Sequence, residues 1–203
     1  VVGIVGKSKS LDFPTMLIFW SLVRNSVVLA VYLLFSVACF LTVHEHSVMD
    51  NMLFFASIAK MDKRIAKERS IALIEKVGLK EKISTKASDL SGGMKRKLNL
   101  ITGLIHNPKL LICDEVCVGI DPISRKEILE YLKELKNNGL NIIYTSHYLD
   151  EVEYLCDKIV FLDRGSLVLE GETDKLIKEI SNAEDKEMNL SDIFVKVLRK
   201  DGE

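Results

Sequence analysis

The chain has 203 residues, 48% hydrophobic and 28% charged, which is long enough for one domain with a real core, or one domain plus a short appendage. Its 28 basic and 29 acidic residues leave a net charge of −1, which excludes bulk electrostatic attraction and with it nucleic acid as a partner. Four scattered cysteines (Cys39, Cys113, Cys117, Cys156) exclude a disulfide scaffold, and no second pair follows Cys113 and Cys117 to complete a zinc site, so reduced core thiols in a cytosolic compartment are expected.

The chain opens with VVGIVGKSKS, an apolar strand followed by Gly6, Lys7 and Ser8, the residue types of a phosphate-binding loop. It does not begin with Met, which suits a fragment. From Phe13 to Val43 the only charge is Arg24, and Val27 to Val43 carries none. With Asn25 and Ser26 that run is a marginal transmembrane candidate, flanked by Trp20 and Arg24, and without the features of a secretory signal.

From His44 the text becomes densely charged. Residues 47–60 place apolar side chains at mixed helical spacing, and residues 62–77 read as an amphipathic helix with Ile65, Ile71, Leu73, Ile74 and Val77 apolar. Gly78 stands where a left-handed cap ends such a helix. A polar connection leads to Leu90-Ser91-Gly92-Gly93 and a helix over about 94–106, broken by Asn107-Pro108. KLLICDE reads as a buried parallel strand, 122–137 as a helix closed by Asn138-Gly139, and LNIIYTS as a second buried strand ending at His147. A short acidic helix follows, then two strands around Arg164-Gly165. The order implies an α/β layered fold with parallel central strands.

Parallel sheets present functional residues at the carboxyl ends of their strands. Here one strand ends in Asp114-Glu115 and another in Thr145-Ser146-His147. The first carboxylate of such a pair can hold Mg²⁺ and the second can polarise water, while an imidazole can reach a transferred phosphoryl group. Taken singly, each has a plainer explanation: favourable charges at a helix N-terminus for the acids, a capping or surface role for the histidine. Ser91-Gly92-Gly93 likewise reads either as a capped helix start or as a place where backbone N–H groups approach an anion.

Their order decides between these. LSGGMKRKLNL, LLICDE, VGIDPISR and IIYTSHYLDEVE resemble the ATP-binding cassette (ABC) ATPases, above all the ATPase subunits of bacterial multidrug or sodium exporters. The resemblance covers about residues 41–203, including the C-terminal NLSDIF stretch. It implies a P-loop NTPase-like fold with a helical signature subdomain, ATP and Mg²⁺ as ligands, and ATP hydrolysis coupled to transport. It further implies a second cassette and membrane-spanning subunits as partners, with the chain peripheral to the inner face of the cell membrane. Leu90, Ser91, Gly92 and Gly93 would contact the γ-phosphate of ATP held by the partner cassette. Asp114, with Ser8, would bind Mg²⁺, and Glu115 would be the catalytic base. Gly119, Ile120 and Asp121 would form the loop crossing the dimer interface, and His147 would contact the γ-phosphate. The corresponding segments are 1–43 (phosphate-loop stub and apolar run), 44–107 (signature subdomain), 108–175 (α/β core) and 176–203 (helical tail).

The sequence also departs from that family. Val116 and Cys117 stand where Pro and Thr normally follow the Asp-Glu pair. A phosphate loop reads G-x-x-x-x-G-K-[ST], yet Val1 lies five places before Gly6, there is no glycine between Gly6 and Gly78, and the chain contains no Gln to link the site to a membrane partner. An aromatic platform for adenine ahead of the first strand is not expected either. VVGIVGKSKS is therefore expected to be the stub of a phosphate loop. Residues 9–40 have no counterpart in the resemblance, and out-of-frame or rearranged text, a replacement such as a membrane-associated helix, and a divergent core segment stay open for them. The abrupt change near His44 favours the first. Three functions follow: an exporter ATPase subunit, a non-catalytic partner donating its signature, or a truncated product without autonomous activity.

Overall fold

The computed structural model describes residues 2–5, 43–163 and 166–200. Among these, 43–112 and 116–131 form one compact unit, and 2–5, 113–115 and 132–200 form another.

The first unit is helical. Helix α1 (Val48–Ile58) starts at a capping box: Ser47 Oγ accepts from Asp50 N at 3.1 Å, and Asp50 Oδ2 accepts from Ser47 N at 3.3 Å. Buried Asn51 ties down the entry turn, donating to the carbonyls of Val43, His46 and Ser47 and accepting from Val43 N. Helix α2 (Lys63–Lys76) is capped by Asp62, which accepts from Arg64 N and Ile65 N. Its buried stripe is Ala66, Ser70 and Ile74, whereas Ile65 and Ile71 are 53% and 37% exposed. The core takes the i, i+4 stripe Ala66, Ser70 and Ile74, and the Ser70 hydroxyl donates to the Ala66 carbonyl at 2.6 Å. The chain leaves α2 through Gly78 at φ +72°, the left-handed cap that its glycine permits. Helix α3 (Gly92–Leu104) begins two residues earlier than its apolar periodicity indicates, because Ser91 Oγ accepts from Met94 N and draws both glycines into the first turn. Val48, Met52, Ile74, Leu79, Leu98 and Ile101 are fully or nearly fully buried in one core, each contributing about 1.5–3 kcal/mol of transfer free energy.

The second unit holds most of a five-stranded sheet in the order β2-β3-β1-β4-β5, with only the last two residues of β2 belonging to it. The strands are β1 (Val2–Val5), β2 (Leu110–Asp114), β3 (Asn141–Thr145), β4 (Lys158–Asp163) and β5 (Ser166–Glu172). Helix α4 (Pro122–Asn137) precedes β3, α5 (Leu149–Leu155) follows it, and α6 (Thr173–Glu184) and α7 (Leu190–Lys200) close the chain. Leu132, Ile142, Tyr144, Leu155, Phe161 and Ile193 are among the buried side chains of this unit, and Phe161 meets Phe194 edge-on at 5.1 Å.

The sheet is mixed. Strand β1 runs antiparallel to both neighbours, with Val2 opposite Thr145 and Val5 opposite Ile142, so β3 and β4 run parallel to each other across it, and β5 returns antiparallel to β4. The expectation of parallel central strands concerns β2 and β3; in the described sheet β3 and β4 run parallel across β1, and β1 runs against both. With only four residues and hydrogen-bonding strands on both sides, β1 is satisfied in either direction, and periodicity carries no information on which.

Among the described residues no helix is long and apolar enough to cross a membrane. The segment 9–40, most of the uncharged run ending at Val43, and the turn Arg164-Gly165 lie outside the described residues.

Candidate functional site

In the α/β unit, the strand ends converge as hydrogen-bonded neighbours. The Glu115 N–H donates to the Thr145 carbonyl at 3.0 Å, which ties the end of β2 to the end of β3. The Thr145 hydroxyl donates to Asp114 Oδ1, and His147 Nδ1 lies 3.2 Å from Glu115 Oε1. Glu115 and His147 side chains are 53% and 55% exposed, open to a ligand in water. Glu115 sits at φ +47°, a left-handed conformation that costs a non-glycine residue of order 1–3 kcal/mol and that clusters at functional sites.

Behind His147 is a buried polar group that sequence reasoning missed. Glu151 is 1% exposed, and its Oε2 accepts from Tyr144 Oη at 2.6 Å and from Ser146 Oγ at 2.7 Å. Ser146 Oγ in turn accepts from Tyr148 N at 3.0 Å. The signal was available: Tyr144 and Ser146 share one face of the strand by period 2, and Glu151 follows on the first turn of the next helix.

In the helical unit, the signature residues begin α3. Leu90 is buried, Ser91 caps the helix, and a Cβ on Gly92 would meet nothing within 4 Å. A Cβ on Gly93 would lie 2.1 Å from Ser124 Oγ and 3.0 Å from Asp121 Oδ2. The two glycines therefore differ: Gly92 leaves an open surface where backbone N–H groups can meet an anion, and Gly93 allows close approach to the start of α4. Asp121 caps α4, accepting from Ile123 N at 3.1 Å and Ser124 N at 2.9 Å, and these bonds, the Ser124 N–H first, hold its carboxyl below the usual range. Gly119 is at φ +75°. Ser124 is the residue here that the motifs did not single out.

Gly6, Lys7 and Ser8 lie outside the described residues. The strand before them ends at Val5, opposite Ile142, three residues or about 10 Å along β3 from Thr145. It points away from the strand ends that carry Asp114, Glu115 and His147.

A profile described as ABC transporter matches residues 29–118, so the match begins inside the segment 9–40 that the motifs left without a counterpart. The linearmycin resistance ATP-binding protein LnrL of Bacillus subtilis (strain 168) is 45% identical over 131 residues, 64% of this chain and 40% of that protein. The Nod factor export ATP-binding protein I of Neorhizobium galegae is 39% identical over 136 residues, 67% of this chain and 39% of that protein. The chain thus spans about two fifths of the length of these relatives. A solved ATP binding subunit of an ABC transporter aligns with 78% of this chain and 65% of its own, at a TM-score of 0.66 and 23% identity, a likeness of fold. With the ordered motifs and the mixed α/β architecture in which they stand, these matches establish that the chain belongs to the ABC transporter family, among its ATP-binding proteins.

Proposed function

We propose that the chain is the ATP-binding and ATP-hydrolysing subunit of an exporter, working with a second cassette and membrane-spanning partners at the inner face of the cell membrane. The observation that carries this reading is the pairing of Glu115 with His147 at 3.2 Å, beside Asp114, on adjoining strand ends. The relatives named for linearmycin resistance and Nod factor export support the exporter class.

In this reading Glu115 takes a proton from water as its oxygen bonds to the γ-phosphorus. The bond to the bridging oxygen breaks, and ADP leaves with that electron pair. His147, oriented by Glu115, contacts the γ-phosphate. The donor set suits Mg²⁺, which takes one or two carboxylates and fills its shell with phosphate oxygens and water: Asp114 and Glu115 stand side by side at the end of β2. Asp114 would hold it, and when bound it would offset charge on the phosphate oxygens.

The test is equilibrium binding of a fluorescent ATP analogue with Mg²⁺, alongside hydrolysis. The native chain is expected to bind, Lys7→Ala to lose binding, and Glu115→Gln to retain binding while turnover falls by ~10²-fold or more. A cooperatively folded chain that binds no nucleotide would overturn the reading.

The direction of β1 and the open face at Gly92 favour one alternative, a chain that lends Leu90–Gly93 to the ATP of a complete partner cassette. Ser91→Arg would then abolish the stimulation of that partner, although this chain bound nothing itself.

A further inference from the structure

We propose that Glu151, acting through Ser146, is a positioning residue for His147. The inference rests on the reading of His147 as the γ-phosphate contact, and it concerns how that side chain is held.

His147 is 55% exposed and belongs to the short link between β3 and α5, so exposed packing alone does not set its direction. Beneath it lie three buried groups in contact: Tyr144 at 0%, Ser146 at 3% and Glu151 at 1% exposure. A carboxylate taken out of water requires donors, and two hydroxyls supply them on the same oxygen, Tyr144 at 2.6 Å and Ser146 at 2.7 Å. A serine hydroxyl has one proton. Once Ser146 gives it to Glu151, its oxygen can only accept, and it accepts the N–H of Tyr148 at 3.0 Å. The bond spans residues i to i+2 with His147 between them, closing a side-chain turn around the histidine. It fixes the peptide joining His147 to Tyr148, whose rings lie 4.2 Å apart, and aims the imidazole at Glu115, 3.2 Å away. Glu151 thus sets the proton on Ser146, Ser146 sets the turn, and the turn sets the ring. The Tyr144 bond satisfies the same carboxylate oxygen without entering the turn.

That asymmetry supplies the test. Ser146→Ala and Tyr144→Phe each remove one hydroxyl from Glu151 in the same buried cluster, but only Ser146→Ala opens the turn. The full chain carries four histidines, so ring ¹³C and ¹⁵N resonances of His147 are assignable with His147→Asn as reference. Ser146→Ala is expected to shift and broaden the His147 ring signals and Tyr144→Phe to leave them in place. Glu151→Leu should copy Ser146→Ala, and Glu151→Gln, whose amide oxygen still accepts both hydroxyls, should restore the native signals. Should Glu151→Leu fail to fold, Ser146→Ala, which removes a single oxygen, decides the matter.

In ATP turnover the same order is expected, with kcat down roughly tenfold in Ser146→Ala and KM within about twofold, as for a misaimed group rather than lost binding. Native chain without turnover would count against the hydrolytic reading alone, and the ring signals would still decide the positioning. Unmoved His147 signals in Ser146→Ala, or signals moved equally by Tyr144→Phe, would overturn the proposal.

Discussion

At the scale of single residues, the two adjacent glycines of the signature make different demands. Gly93 faces the Ser124 side chain so closely that a methyl group would overlap it, whereas Gly92 faces open space. Gly93→Ala is therefore expected to destabilise the chain by about 1–3 kcal/mol, the usual cost of overpacking. Gly92→Ala, at the start of a helix, is expected to be neutral or to raise stability by up to about 1 kcal/mol. Thermal melts of both variants check this, and Ser124→Gly combined with Gly93→Ala should recover much of the loss. The pair Gly92-Gly93 was legible in the sequence, but the difference between them was not, because it depends on what another helix brings against each one. The replacement of Pro and Thr by Val116 and Cys117 has a similar resolution: both side chains are 3% exposed, so they enter the interior as apolar groups.

At the scale of elements, helix α2 is fastened to the end of α3 by Arg69, whose Nη2 donates to the Leu104 carbonyl at 3.0 Å and to Asn107 Oδ1 at 3.1 Å. His106 lies within that clasp, and burial first, then the charge of Arg69, lowers its pKa below the ordinary 6.5. The sign follows from linkage: the unfolded chain takes up a proton near pH 6.5 while the folded chain resists it. Stability is thus complete above that pH and declines as pH falls through the lowered folded value. Urea melts between pH 7.5 and 5 should show this loss, and His106→Gln should reduce it. The cap at Ser91 was readable in advance by residue type and position, whereas those at Ser47 and Asp62 emerged with the structure. The choice of buried face on α2 was not readable, because it is centred on Ala66 and Ser70, which carry little apolar signal, while Ile65 and Ile71 stand exposed.

At the scale of the whole molecule, the cysteines report folding. Cys113, Cys117 and Cys156 are buried and outside any disulfide, and desolvation pushes the Cys156 thiol up to about 12. Little thiolate exists there at pH 8, so alkylation of Cys156 should be negligible in the native chain and should rise along the denaturation curve read by circular dichroism. Mass spectrometry of the alkylated peptide checks this; rapid labelling under native conditions would show that the α/β unit opens locally. The sheet of the same unit is also where the structure adds most to the sequence, through the direction of β1.

Residue chemistry by itself determined the family, the order of helices and strands, and which carboxylates and histidine are candidates for the site. Those properties are written in local patterns: caps, periodicities, and charged residues that close apolar strands. Tertiary structure decided what patterns cannot encode. It set the direction of β1, the distinct neighbours of Gly92 and Gly93, and the meeting of Glu115 with His147 across 32 positions of chain. It also turned Tyr144, Ser146 and Glu151, unremarked as separate residues, into one buried group beneath the histidine. Each of these is a contact between distant or differently facing groups, fixed only when the elements pack and buried polar atoms must find partners.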